Sequence, residues 1–126
     1  MTVGPVRRDE ATAAFFDGTA RGELLLFRCP AGHFSPPYSQ QCDTCASVDL
    51  TAVAASGGAS VVSRSVAHRR GGHRDILVVA ELDEGPWWWS KVIDVEPEQV
   101  VAGARLTVVV ERADEESEAV PVFRLA

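Results

Sequence analysis

The sequence lacks any apolar run approaching the roughly 20 residues needed to cross a bilayer. Its opening stretch, MTVGPVRRDEATAAFF, has neither the apolar segment nor the small-residue cleavage site of a secretory signal. Both absences point to a cytoplasmic protein with no membrane association, whose thiols stay reduced. Cysteine is scarce and odd in number: Cys29, Cys42 and Cys45, all within 17 residues, a pattern that favours metal binding over disulfides. No internal repeat is visible.

Positive charge is scarce in one part of the chain. Residues 81–126 hold four Lys or Arg against eleven Asp or Glu, whereas residues 1–80 hold eight Arg against seven acids. The net charge of −6 therefore resides in the second part. Such a chain is a poor general binder of phosphate backbones, because counterion release needs clustered cations. One stretch departs from this balance: Arg64, His68, Arg69, Arg70, His73 and Arg74 occur together with no acid between them. The patch suits one anionic ligand better than a polymer. No Ser, Cys or carboxylate stands at a spacing that would join its histidines in a triad, which argues against an independent hydrolase.

What is present fits one small globular protein. With 126 residues, 46% of them hydrophobic, a core can form. Asp9-Glu10 is expected to open a helix running through Phe15-Phe16, with acids at the positive end of its dipole, and Gly18 and Gly22 to loosen the chain after it. The run Leu24–Phe27 leads into the cysteines. From residue 50 the pattern becomes β. Thr51–Ser56 and Ala59–His68 read as one long strand bent at Gly57-Gly58, followed by Ile76–Leu82, Trp87–Asp94, Arg105–Glu111 and Val120–Leu125. Glu96–Val101 reads as a helical turn, with Pro97 in its first turn and Gly103 closing it. Five strands with a short helix between the third and fourth is the order of an OB-fold barrel. The expected architecture is mainly β: an N-terminal helical segment (1–24), a zinc ribbon (25–49) and a five-stranded OB-fold domain (50–126).

The stretch RCPAGHFSPPYSQQCDTC, residues 28–45, carries the metal chemistry. Zinc is held by tetrahedral sets of four Cys or His, usually in pairs at tight turns. Cys42-Asp-Thr-Cys45 is one such pair, and Cys29 with His33 is the other at C-x₃-H spacing. Two readings stand, a bound structural zinc or a metal-free loop held by packing. Neither is catalytic, since no ionisable residue is poised to act on a metal-bound water.

Phe15-Phe16, Gly22-Glu23-Leu24, Arg28-Cys29, Phe34-x-Pro36-Pro37, Cys42-x-x-Cys45, Val66-x-His68-Arg69, Val79–Pro86 and Val120-Pro-Val-Phe123-Arg124 together resemble the acyl-CoA-associated OB-fold family, the domain-of-unknown-function family numbered thirty-five. The resemblance runs over nearly the whole chain from about residue 9. The family's usual second cysteine aligns with Gly32, and His33 follows it. The resemblance implies a rubredoxin-like ribbon joined to an OB barrel. It also implies an accessory role beside thiolase-like enzymes acting on acyl-CoA, such as steroid side-chain aldolases and acyl-CoA thiolases, with the nucleophile on the partner. On that footing Arg64, His68, Arg69, Arg70 and Arg74 become a seat for the phosphates of coenzyme A, to which forked arginine donors are suited.

Trp87-Trp88-Trp89 lies on a predicted strand, so Trp87 and Trp89 share one face and Trp88 takes the other. One face fills the barrel, and the other is covered by the rest of the chain or offered to a partner, because Trp is enriched at interface hot spots. Phe15 and Phe16 join the candidate partner surface. The alternative is a single-strand nucleic-acid-binding OB module with these tryptophans as stacking platforms; the acidic second part of the chain disfavours it.

Overall fold

The computed structural model describes residues 5–126. It is mainly β, with one N-terminal helix, a Cys/His cluster and a closed five-stranded barrel, as expected. Helix α1 covers Ala13–Ala20 and starts later than the acids suggested. Asp9 and Thr12 instead bond reciprocally: the Asp9 carboxylate accepts the Thr12 N–H at 2.9 Å, and the Thr12 hydroxyl accepts the Asp9 N–H at 3.0 Å. That turn spends the first acid as a cap ahead of the helix. Gly18, expected to loosen the chain, lies inside the helix. A Cβ there would come within 2.6 Å of Leu25 Cγ, so the glycine lets the helix settle on the strand that follows.

Three short strands form the ribbon sheet in the order β2-β1-β3: β1 (Leu25–Arg28), β2 (Phe34–Ser35) and β3 (Thr51–Ala54). Here the strand expectation fails in one respect. Thr51–Ala54 is not the first half of a bent barrel strand; it pairs antiparallel with β1, Leu25 opposite Ala54 and Arg28 opposite Thr51. A run of four alternating residues satisfies either sheet, and Gly57 at a φ of 95° turns the chain out of one and into the other.

The barrel contains β4 (Gly58–His68), β5 (Arg74–Leu82), β6 (Trp87–Val92), β7 (Arg105–Glu111) and β8 (Val120–Leu125). They close in the order β4-β5-β6-β8-β7, with β6 and β8 parallel and the other pairs antiparallel. The irregularity in β4 lies between Val61 and Ser63 rather than at the glycines. Gly58 has its own role: a Cβ there would collide with Asp83, whose carboxylate is gripped by Arg105 at 2.9 and 3.0 Å. Beyond Ser60, β4 parts from β7, so the β4–β5 hairpin projects with the basic residues at its far end.

The core is continuous across both sheets. Leu24 and Leu26 enter it from the ribbon side, against Val61, Val78, Ala80, Leu82, Leu106 and Phe123 from the barrel. Leu26, Ala80 and Leu106 are fully buried. Each buried leucine contributes on the order of 1.5–3 kcal/mol through removal of apolar surface from water, and the alanine methyl less. The N-terminal strap is tied down by polar contacts. The Glu118 N–H donates to Val6 O at 2.8 Å, and the Arg8 guanidinium forks onto Glu118 while also reaching Asp17 at 2.6 Å.

Candidate metal centre and aromatic surface

The ribbon brings its four candidate ligands together. Cys29 and His33 flank a turn in which the Gly32 N–H bonds to Cys29 O at 2.9 Å and the Cys29 N–H to His33 O at 3.0 Å. Gly32 sits at a φ of 90°, a conformation that favours glycine, so the residue in the place of the family's second cysteine serves the turn. On the other side, the Ala46 N–H bonds to Cys42 O and the Cys42 N–H to Ser47 O, folding Cys42–Cys45 into a knuckle. The ligand atoms of Cys29, His33, Cys42 and Cys45 all lie within 4.8 Å of one another. Cys29 Sγ is 3.4 Å from His33 Nδ1 and 3.8 Å from Cys45 Sγ. Around a tetrahedral ion with sulfur at about 2.3 Å and nitrogen at about 2.0–2.1 Å, ligand atoms stand about 3.5–3.8 Å apart. The donor set and its spacing are thus compatible with a structural metal site.

The thiols are unequal. Cys42 is drawn down to about 6, chiefly because the N–H of Cys45, and then that of Thr44, point at its sulfur. For Cys45 the Ser47 amide acts downward, but the neighbouring Cys42 and Cys29 sulfurs and burial outweigh it, and its thiol is raised. Cys29 and Cys42 are buried and Cys45 is at the surface.

The tryptophans divide as the strand period requires. Trp88 turns inward against the core, with Phe15 tilted over it at 5.8 Å between ring centroids. Phe15 in turn meets Phe16 edge-on at 5.3 Å, and Phe16 is only 8% exposed. Trp87 and Trp89 face outward at 52% and 74% exposure. Two clefts adjoin this aromatic region. One, of about 540 Å³, lies between α1 and the ribbon and is lined by Phe15, Phe16, Phe27, Pro37, Tyr38 and Trp88 among others. The other, of about 640 Å³, lies between the ribbon and the β5–β6 turn and includes Tyr38, Trp87 and Trp89. Tyr38, 76% exposed, borders both and was not singled out in the sequence. No periodicity marked it, because it stands in an irregular loop.

The basic residues do gather at the β4–β5 hairpin, with His68 opposite Arg74. The fold also supplies acids that the linear stretch lacked. Arg69 Nε binds Asp75 at 2.9 Å, Lys91 reaches the same carboxylate at 3.4 Å, and Arg74 approaches Glu96 at 3.5 Å. These contacts, Arg69 first, hold the Asp75 carboxyl below its ordinary range. Arg64 stands apart, on a groove of about 380 Å³ shared with Ser63, Ser65, Leu77, Val79 and Trp89. Neither Arg64 nor Arg70 has an ion-pair partner among the described residues. No helix among them is long and apolar enough to cross a membrane.

No family model matches the chain, and no curated protein matches it. Solved structures do. The Ltp2–ChsH2(DUF35) aldolase superposes with a TM-score of 0.80 at 26% identity, covering 94% of this chain and 96% of that one. A DUF35-family protein of unknown function from Sulfolobus solfataricus superposes with a TM-score of 0.64 over 93% and 86%; at 14% identity it speaks to fold alone. In its helix, its Cys/His ribbon and its five-stranded barrel, the chain is similar to these DUF35 proteins.

Proposed function

We propose that this chain is a non-catalytic accessory subunit of a thiolase-like enzyme of lipid-transfer-protein type acting on an acyl-CoA, such as a steroid side-chain aldolase or an acyl-CoA thiolase. The observation that carries this reading is the end-to-end likeness, at 26% identity, to the DUF35 chain of an aldolase whose other named component is Ltp2. The outward-facing Trp87 and Trp89 support it, since exposed indoles together with Tyr38 make an aromatic surface suited to a protein partner. Phe15, Phe16 and Trp88 form the apolar layer beneath and beside that surface.

The ion best suited to Cys29, His33, Cys42 and Cys45 is zinc, given three thiolates and an imidazole in tetrahedral spacing. With four protein ligands its contribution is a cross-link between the two knuckles. Coenzyme A is the proposed ligand of the basic hairpin. Arg64 and Arg70 are the arginines to which its phosphates would bind, while His68, Arg69 and Arg74 set the local charge. The chain is expected to act in the cytoplasm.

The test is steady-state turnover of acyl-CoA by a co-expressed thiolase-like subunit, measured with and without this chain. The chain alone turns over nothing, and the pair is active. Replacing Arg64 and Arg70 together by Ala raises the pair's KM for acyl-CoA with kcat nearly unchanged, the signature of lost uniform binding. Full activity of the large subunit by itself removes the proposal.

A further inference from the structure

The cleft between the ribbon and the β5–β6 turn combines two features, exposed aromatic faces and carboxylates with little to pair with. Its ribbon wall offers Phe34 and Tyr38, its barrel wall Trp87 and Trp89, and Asp43 and Glu84 line it from the two sides. Glu84 is held by one oxygen only. Oε2 accepts the Ser56 N–H at 2.7 Å, while Oε1 is the one buried side-chain oxygen without a hydrogen-bond partner among the described residues. Glu81, on the neighbouring strand, accepts the Trp87 indole N–H at 3.3 Å. Asp83, next to Glu84, is already neutralised by Arg105. A cation over an indole face is stabilised by the ring quadrupole, most strongly for Trp, and nearby carboxylates add to the attraction. The ribbon contains the same contact on a small scale: the Arg28 guanidinium lies 5.8 Å from the Phe34 ring centre.

We propose that this cleft seats an arginine or lysine side chain presented by the partner protein, the cation lying against Trp87 and Trp89 and facing Glu84 and Asp43. This deepens the accessory-subunit reading and rests on it for the identity of the partner, but the cleft's chemistry can be read without that partner. Charge complementarity selects the occupant. An anionic ligand or nucleic-acid strand meets the carboxylates of Asp43 and Glu84, and a purely apolar segment leaves them facing it unpaired.

The indole N–H resonances of the isotopically labelled full chain provide the test, with the peptide acetyl-Arg-Gly-Arg-amide as probe and its citrulline counterpart as the neutral control. The expected result is a saturable shift of the Trp87 and Trp89 signals with the arginine peptide, little or none with citrulline, and a still Trp88 signal as internal reference. Glu84→Gln keeps an oxygen for the Ser56 N–H, so it preserves the turn while weakening peptide affinity several-fold. The proposal is overturned by the absence of a saturable shift, by equal shifts with citrulline, or by shifts on simple dilution of the free chain, which would give the cleft to a second copy. A negative result here leaves acyl-CoA turnover by the pair untouched and moves the interface elsewhere. An inactive pair with intact peptide binding removes the accessory reading and keeps the cleft.

Discussion

Residues 25–54 hold three strands of four, two and four residues, whereas residues 58–125 hold five strands of six to eleven around buried Leu, Val and Phe side chains. The ribbon buries few apolar side chains besides its cysteines; Leu26, like Leu24 just before it, is buried where it dips into the barrel's core. What organises the rest of the ribbon is the convergence of Cys29, His33, Cys42 and Cys45 and a few knuckle hydrogen bonds. The barrel is thus stabilised by packing, which the sequence writes as apolar runs. The ribbon instead brings four candidate metal ligands together, written as the spacing of four residues. Separate perturbations should distinguish the two.

The largest effect is expected in the barrel. Phe123 is 1% exposed at the point where β8 pairs with both β6 and β7. Phe123→Ala should cost about 3–5 kcal/mol, and denaturant unfolding should report it as a single transition shifted to lower midpoint. A loss below about 1 kcal/mol would mean that the barrel does not depend on that packing. Next comes the ribbon. Cys42→Ser, or a strong chelator, should release about one zinc per chain and strip hydrogen-exchange protection from the amides of Cys29 and Cys42 while the β5 amides keep theirs. Unchanged protection in the ribbon would show it to be held by packing, like the barrel.

The seat of the helix on the ribbon gives the smallest effect and a sign to decide. Gly18→Ala gains helix propensity of about 1 kcal/mol, but its Cβ meets Leu25 Cγ at 2.6 Å, and overpacking of this kind costs about 1–3 kcal/mol. Net destabilisation is expected in thermal unfolding. A stabilised variant would mean that Leu25 yields and that the helix is not closely seated on the ribbon.

The same contrast explains what could be read in advance. The five barrel strands, their OB order and the shared face of Trp87 and Trp89 follow from period-two patterning and Gly/Pro turns, which are local properties; which face points outward is set by the tertiary packing. The convergence of Cys29, His33, Cys42 and Cys45 was legible because Cys and His spacing is itself the signal. The β1–β3 pairing was not, since Thr51–Ala54 suits either sheet and only tertiary packing chooses. The loss of free charge on Arg69 and Arg74 was not either, because Asp75 lies just past the acid-free stretch and Glu96 reaches it from the turn after β6. The cleft was least visible of all, since Tyr38 and Glu84 meet only once the ribbon folds against the barrel.

The central claim, that this chain serves a larger enzyme rather than acting alone, is tested most directly by light scattering on the product of co-expression with a thiolase-like subunit. The account predicts one stable hetero-oligomer that contains both chains and survives gel filtration. Two separate peaks, with this chain folded and the larger subunit complete without it, would contradict it.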